Sequence, residues 1–479
     1  MKIAMLSPEI GPFAKTGGLA DVVGTLSIAL ERRGHDLSLI MPAYRAALQG
    51  NFALEETDLK VSAPVSDRQE EATVLRGRVG SNISVYCIRA DRYFDREFLY
   101  GSPDGDYPDN AERFVFFSRA ALEVLRQQPA DVIHCHDWQT ALAIVFLKTQ
   151  AERYPELHGV RSVFTVHNLG FQGIFPAATW YLLNLDLSFF TPKFLEFYGN
   201  VNFLKGALVF ADKITTVSPN YAHEIMETEQ GFGLEGVLHD RQPDIVGILN
   251  GVDYSQWNPA SDPHIAKHYS AASLTGKQSC KKALQRAFAL PQKSAVPLFG
   301  MISRLTSQKG LDLIEKILDP LMECDLQMTV LGSGEPRYEA LFNAAAARYP
   351  KKIAARIGFD EVLAHQIEAG ADFFLMPSLF EPCGLNQMFS LKYGTIPIVR
   401  AVGGLKDTVE EYDGDRGTGT GFIFAQYDPQ ALLGAIDRAL QAFRNKRAWS
   451  ALRRRAMSED FSWDRSAEAY RNLYEQLLR

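Results

Sequence analysis

Short apolar, β-rich runs alternate along this chain with segments in which apolar residues recur every three or four positions. The first run, Ile3 to Leu6, gives way after a glycine-rich turn to Leu19, Val22, Val23, Leu26 and Leu30, which share one face of a helix. Such alternation predicts parallel sheets covered by helices. Strands are expected near residues 2–7, 36–41, 83–89, 131–136, 161–166, 213–217 and 245–249. The turn-rich stretch Trp257-Asn258-Pro259-Ala260-Ser261-Asp262-Pro263 interrupts the pattern, which restarts near 297–303, 326–331, 352–358, 372–376, 396–400 and 421–424. The expected fold class is α/β with two Rossmann-like domains, residues 1–249 and 250–459. A last helical pattern, Trp463 to Leu478 within 460–479, is expected to cross back onto the first domain.

Composition agrees with two sizeable cores: of 479 residues, 46% are hydrophobic and 22% charged. A net charge of −7 argues against nucleic acid or an anionic membrane as partner, while leaving room for a local phosphate site. The five cysteines, Cys87, Cys135, Cys280, Cys324 and Cys383, lack any paired spacing, which points to a reducing compartment. With no signal-peptide pattern and no apolar run of membrane-spanning length, a cytoplasmic protein is expected.

Candidate chemistry gathers where strands end. Lys15-Thr16-Gly17-Gly18-Leu19-Ala20-Asp21 lies between a strand and a helix, where glycine lets backbone approach a ligand and open helix N–H groups favour an anion. Its spacing is neither the dinucleotide G-x-G-x-x-G nor the P-loop. Asp131 to Trp138 runs from a strand into a loop, and period two sets His134 and His136 on one face and Cys135 and Asp137 on the other. The two histidines are read as hydrogen-bonded structural groups, and Asp137 as the functional candidate. His167, at the end of Val163 to Val166, has Asn168 and Gln172 beside it, neutral polar groups of the kind sugar hydroxyls require.

In the second half, Arg304 and Lys309 lie in a strand-to-helix loop, placed to neutralise charge on a departing diphosphate. Glu381, in Phe380-Glu381-Pro382-Cys383-Gly384-Leu385, follows an apolar strand and is expected to open a helix. Gly403-Gly404-Leu405 repeats the strand, glycines and helix of the opening turn. Asp104-Gly105-Asp106 and Asp413-Gly414-Asp415 have the form of a metal-holding carboxylate pair, but Asp-Gly pairs serve turns, and no metal site is expected.

Together these stretches, in this order from residue 1 to 479, resemble the bacterial glycogen synthase and plant starch synthase family. The resemblance implies a glycosyltransferase-B fold, two Rossmann-like domains facing across a cleft. It further implies a retaining transfer of glucose from ADP-glucose to the non-reducing end of an α-1,4-glucan, with no cofactor. By matching motif, Lys15, Gly18 and Asp21 would border the donor phosphates and glucose, with Asp137, His167 and Asn250 around the sugar. Arg304 and Lys309 would hold the diphosphate and Glu381 the transferred glucose. The backbone from Cys383 through Gly384 to Leu385, and from Gly403 through Gly404 to Leu405, would hold sugar and phosphate oxygens. The chain departs from the family at Leu379 and Val402, where many members have arginine and threonine. Phe389 stands where the wider retaining class often carries a ribose-binding glutamate.

Rival readings are a UDP-glucose-using transferase, a glucan-binding relative without transfer activity, a pyridoxal-dependent phosphorylase and a dehydrogenase. The last lacks G-x-G-x-x-G, and no motif for pyridoxal phosphate is seen. Intact Lys15, Arg304, Lys309 and Glu381 argue against loss of transfer.

Overall fold

Each strand expected from the apolar runs is present, and in each half of the chain they assemble into one sheet. The structure, a computed structural model, describes residues 1–102 and 105–479. Asp104 of the first Asp-Gly-Asp motif lies outside the described residues. Two units divide the chain: Met1–Gly251 with Trp463–Arg479, and Val252–Ser462.

The first unit has strands β1 (Lys2–Leu6), β2 (Asp36–Pro42), β3 (Glu55–Val65), β4 (Arg68–Val79), β5 (Ile83–Arg89), β6 (Val132–His136), β7 (Arg161–Val166), β8 (Lys213–Thr216) and β9 (Ile245–Gly247). Their order is β9-β8-β7-β6-β1-β2-β5-β4-β3. All neighbours from β9 to β5 run parallel, and only β4 and β3 are antiparallel. Every residue of β6 is buried, as expected of a central parallel strand covered on both faces. The β3–β4 hairpin was not expected. Its two-residue turn, Ser66-Asp67, has Ser66 at φ 57°, and the outer part of β3 exposes Glu55, Glu56, Asp58 and Lys60, so no apolar run announces an edge built from charge.

Helix α1 (Gly18–Glu31) turns Val22, Val23, Leu26 and Leu30 into this core, each side chain worth about 1.5–3 kcal/mol on burial. The last helix (Trp463–Leu477) packs against α1, where Arg33 bonds the Asp464 carboxylate at 3.0 Å. Arg113 is buried and ties down the aromatic loop after β5. It donates to the carbonyls of Tyr93 (2.8 Å) and Leu99 (2.9 Å) and to Asn110 Oδ1 (2.6 Å), so the buried charge is met by fixed dipoles.

The second unit is a six-stranded parallel sheet of β10 (Leu298–Ile302), β11 (Gln327–Gly332), β12 (Ile353–Ile357), β13 (Phe373–Met376), β14 (Ile396–Arg400) and β15 (Phe422–Phe424). Its order is β12-β11-β10-β13-β14-β15. The segment after Gly251 belongs to this unit by packing. Trp257 is stacked between His365 (3.8 Å) and Phe389 (4.0 Å), and Asp262 accepts from His365 Nδ1 (2.8 Å) and the Tyr393 hydroxyl (2.5 Å). Phe389 therefore has a packing role. Asp413-Gly414-Asp415 is an exposed turn, its Asp413 carboxylate accepting from the N–H groups of Asp415 and Arg416. Among the described residues no helix is long and apolar enough to cross a membrane.

Candidate active site

Each sheet has a strand-order reversal, and Lys15, Gly18, Asp21, Asp137, Arg304, Lys309 and Glu381 stand in, or directly after, the loops beside it. In the first, the chain leaves β1 to one side for β2, while β6 lies on the other, so the loops after β1 and β6 diverge above the carboxyl edge. The loop after β1 carries Lys15, Gly18 and Asp21. Lys15 Nζ pairs with Asp21 at 2.8 Å, both about half exposed.

Two amides of the glycine turn, those of Thr16 and Gly17, are not open to an outside anion as expected. Glu9 has already taken them: its carboxylate accepts from Thr16 N–H (2.5 Å), Thr16 Oγ1 (2.5 Å) and Gly17 N–H (3.3 Å), with the Tyr100 hydroxyl closing the set at 2.7 Å. An internal carboxylate thus sits beside the helix start, with Lys15 as the side-chain cation of the same loop. Glu9 was missed because a carboxylate in a loop seven residues before a turn has no periodic signature. An acidic residue just past a strand, facing Thr-Gly-Gly, is the signal that was there.

Asp137 sits directly beyond β6, at φ 58° and ψ 177°. That region is essentially reserved for glycine and costs of order 1–3 kcal/mol. The backbone is pinned on both sides, Asp137 N–H donating to Thr165 O (3.0 Å) and Thr140 N–H to Asp137 O (3.1 Å). Asp137 Oδ1 accepts from His167 N–H at 2.8 Å, so the ends of β6 and β7 are joined through this side chain. Burial pushes its carboxyl up to about 7, against the pull of the His167 and Asn168 amides.

Beneath Asp137 the histidines form a buried chain. His134 is held by Tyr474 (2.7 Å) and Thr165 (2.6 Å), its ring lies 4.1 Å from that of His136, and His136 Nδ1 meets His167 Nε2 at 3.0 Å. Burial lowers the pKa of all three, of His134 and His167 to about 3, which keeps the imidazoles neutral. Asn250, after β9, stands three strands away from β6. Among the described residues no hydrogen bond joins it to Asp137 or His167, and its buried Oδ1 has no partner.

In the second sheet the reversal falls between β10 and β13. The loop after β10 carries Arg304, exposed, and Lys309; the loop after β13 carries Glu381. The loops are laced together: Leu379 N–H donates to Gln308 O at 2.8 Å, and a Cβ on Gly310 would stand 2.0 Å from Pro377 O. Lys309 Nζ meets Glu381 Oε2 at 2.7 Å, and Ser378 Oγ donates to the same oxygen at 2.9 Å. Glu381 is only 7% exposed. It does not open a helix as expected, since the helix begins at Asn386 and Glu381 stands five residues earlier in the loop. Its orientation comes from Lys309 and Ser378 instead. Ser378, a small hydroxyl directly after a strand, was overlooked.

The expected ligand-binding backbone at 403–405 also needs correction. Gly404 N–H donates to the carbonyls of Glu381 (3.2 Å) and Pro382 (3.1 Å), and Leu405 N–H to Val402 O (3.0 Å), so these two amides shape the turn. Gln387, likewise missed, donates from Nε2 to Cys383 O (3.0 Å), Gly384 O (3.1 Å) and Thr408 Oγ1 (3.1 Å), fixing the loop that holds Cys383, Gly384 and Leu385.

Glycine is obligatory where the two turns touch. Gly403 has φ 45°, and a Cβ on it would lie 1.9 Å from Glu381 O. Gly403→Ala is expected to cost about 2–3 kcal/mol, because the Glu381 backbone has to move to admit the methyl group. Urea unfolding of the variant checks it, and an unchanged midpoint refutes the close approach.

Comparison with known proteins agrees in both units. Residues 2–240 match the family described as starch synthase catalytic domain, and residues 285–453 match glycosyl transferases group 1. The glycogen synthase of Koribacter versatilis (strain Ellin345) is 47% identical over 480 residues, 99% of this chain and 98% of its own length. That of Anaeromyxobacter sp. (strain Fw109-5) is 49% identical over 484 residues, covering 100% and 99%. The catalytic domain of starch synthase IV from Arabidopsis thaliana, solved bound to ADP and acarbose, matches with a TM-score of 0.90 at 35% identity, over 100% of this chain and 99% of that one. Sucrose-phosphate synthase from Thermosynechococcus elongatus, 18% identical with a TM-score of 0.61 over 99% and 98%, shares the fold. Two α/β units of the glycosyltransferase-B kind, with relatives of this identity along the whole length, mean that the chain belongs to the glycogen synthase and starch synthase family.

Proposed function

We propose that this chain transfers glucose from ADP-glucose to the non-reducing end of an α-1,4-glucan, with retention of configuration. The observation that carries the reading is the Lys309–Glu381 pair, a lysine against a buried carboxylate at a strand-order reversal. Lys309, with Arg304 on the same loop, is assigned to the donor diphosphate, whose negative charge grows as the glycosidic carbon–oxygen bond breaks. Glu381 is assigned to the glucosyl group, accepting from its hydroxyls and stabilising the oxocarbenium-like carbon. The acceptor hydroxyl forms the new carbon–oxygen bond on the leaving group's side, and the departing phosphate oxygen takes its proton. Main-chain groups from Cys383 to Leu385 and at Gly403 serve sugar and phosphate oxygens.

In the first unit, Lys15, Gly18 and Asp21 are assigned to donor phosphate and glucose, and Asp137, His167 and Asn250 to sugar hydroxyls. Among the described residues the buried Oδ1 of Asn250 has no partner, which suits that task. Five cysteines, none in a disulfide, support a cytoplasmic setting.

Purified protein incubated with glycogen and either ADP-glucose or UDP-glucose, in excess chelator, is expected to release ADP and lengthen the glucan. Lysine and arginine supply the positive charge that a metal supplies elsewhere. Release from UDP-glucose alone refutes the donor assignment, and turnover only on adding a divalent metal refutes the role given to the side-chain cations.

A further inference from the structure

Gln387, in the helix Asn386–Tyr393, is buried, and its amide is unevenly satisfied. Nε2 is shared among Cys383 O (3.0 Å), Gly384 O (3.1 Å) and Thr408 Oγ1 (3.1 Å), while Oε1 is enclosed and has no partner among the described residues. Two of those acceptors are carbonyls, so the nitrogen and not the oxygen has to face them. A glutamine with an unpaired, enclosed oxygen carries a desolvation cost that methionine, of similar shape, does not. What the position gains is its hold on the two carbonyls.

That hold decides where the neighbouring amides point. In a trans peptide the C=O and the next residue's N–H face opposite ways. Holding Cys383 O therefore turns the Gly384 N–H away from Gln387, and holding Gly384 O turns the Leu385 N–H away as well. Gly384 has φ 70°, and Leu385 has φ −118° and ψ −35°. A left-handed residue beside a right-handed one sets successive amides into a nest, a concavity that suits an anion. Neither amide has an acceptor among the described residues. Gly384 and Leu385 are half-buried while Gln387 is buried, so the nest lies on the open side of the turn. Glycine is required here for its φ and for space, since a Cβ on Gly384 would stand 2.4 Å from Gln387 Oε1. The third acceptor extends the hold to the next turn, because Thr408 Oγ1 itself donates to Gly404 O at 2.6 Å.

We propose that Gln387 is a positioning residue for the donor, keeping the amides of Gly384 and Leu385 aimed at an oxygen of its diphosphate. This rests on the function proposed above and narrows it. Of the donor's oxygens, those of the diphosphate carry the negative charge that paired N–H groups favour, whereas a sugar hydroxyl is neutral. Gln387 touches no ligand. Without it the two carbonyls turn toward other donors, and the amides turn with them.

The test measures dissociation constants for ADP and for adenosine by calorimetry, in the full chain and in Gln387→Met and Gln387→Glu. Methionine keeps the volume and removes the donors, and glutamate keeps the shape but sets an ionised carboxylate against the carbonyls. In both variants the Kd for ADP is expected to rise about tenfold, the scale of losing a charge-assisted hydrogen bond, while that for adenosine stays within about twofold of wild type. A loosened site loses both ligands alike, so equal losses overturn the proposal, as does an unchanged Kd for ADP in Gln387→Met. Hydrogen exchange in the wild-type chain depends on no variant folding. ADP is expected to slow exchange at the Gly384 and Leu385 amides and adenosine is not, and unchanged exchange with ADP overturns the nest. A wild-type chain that binds no ADP refutes the functional reading instead. The same exchange measurement with inorganic pyrophosphate then decides whether these amides take a diphosphate, and unchanged exchange overturns it.

Discussion

Glu381→Gln is expected to lower kcat on glycogen by about 10²-fold or more, the scale found for single preorganised electrostatic groups. The substitution keeps shape and most hydrogen bonding, so what it removes is charge beside the carbon that becomes positive in the transition state. The structure adds a second consequence. Glu381 neutralises Lys309 at 2.7 Å, and the glutamine leaves that ammonium without its counter-ion. ADP should then bind as tightly as in wild type or more tightly, since its diphosphate no longer competes with a carboxylate for Lys309. Loss of turnover with equal or better ADP affinity is a signature that a merely damaged site does not give. Near-wild-type kcat removes Glu381 from the mechanism, and markedly weaker ADP binding removes the coupling to Lys309.

Lys309→Ala differs in kind. It leaves a carboxylate that is only 7% exposed without its cation, a loss expected to destabilise the fold by about 3 kcal/mol, the lower end for a broken buried pair. It also takes away a charge felt by the diphosphate in ground and transition states alike, so ADP affinity and turnover fall together. Isothermal titration with ADP and urea unfolding of both variants separate the two patterns.

The elements that place these groups were legible because parallel strands buried on both faces must be written as apolar runs, whereas the β3–β4 hairpin was not, since an edge strand that keeps water on one face is written largely in charge. Asp137, Lys309 and Glu381 each stand just past such a run, where ligands of α/β sheets bind, so their positions could be read. Their partners could not. Lys309 and Glu381 are 72 residues apart and meet only because β10 and β13 are neighbours, an adjacency that no local pattern encodes. The occupation of Thr16 and Gly17 by Glu9 was hidden for a different reason: the string looks the same whether its amides face a ligand or a side chain of the same loop. Backbone strain at Asp137, Tyr198 and Phe232 was equally invisible, because nothing in residue type announces aspartate or an aromatic at positive φ.

Asp137→Asn is expected to make the protein more stable near pH 7 and much less active. Burial raises the Asp137 carboxyl from its ordinary 3.8 to about 7. Between those values the folded state binds a proton that the unfolded state has released, so this group's effect on stability is absent below about pH 4. It grows more unfavourable as pH rises through the window, reaching its full size above about 7. Asparagine keeps an acceptor for the His167 N–H and has no charge to desolvate. The variant should match wild type near pH 4 and exceed it by about 1–3 kcal/mol above pH 7, less than the whole shift implies because the carboxylate is only half-buried. The φ of 58° persists in the variant, so the gain reports charge rather than relief of strain. Activity should move the other way: if the ionised carboxylate holds a sugar hydroxyl, kcat falls about 10²-fold, and the wild-type rise in rate with pH near 7 disappears. A strained, charged and partly desolvated aspartate between two strand ends is costly to keep, which is the pattern of a residue retained for chemistry. Urea unfolding of both proteins from pH 4 to 8, beside their pH–rate profiles, decides it. Parallel stability curves refute the raised carboxyl, and an unchanged rate profile takes Asp137 out of the reaction.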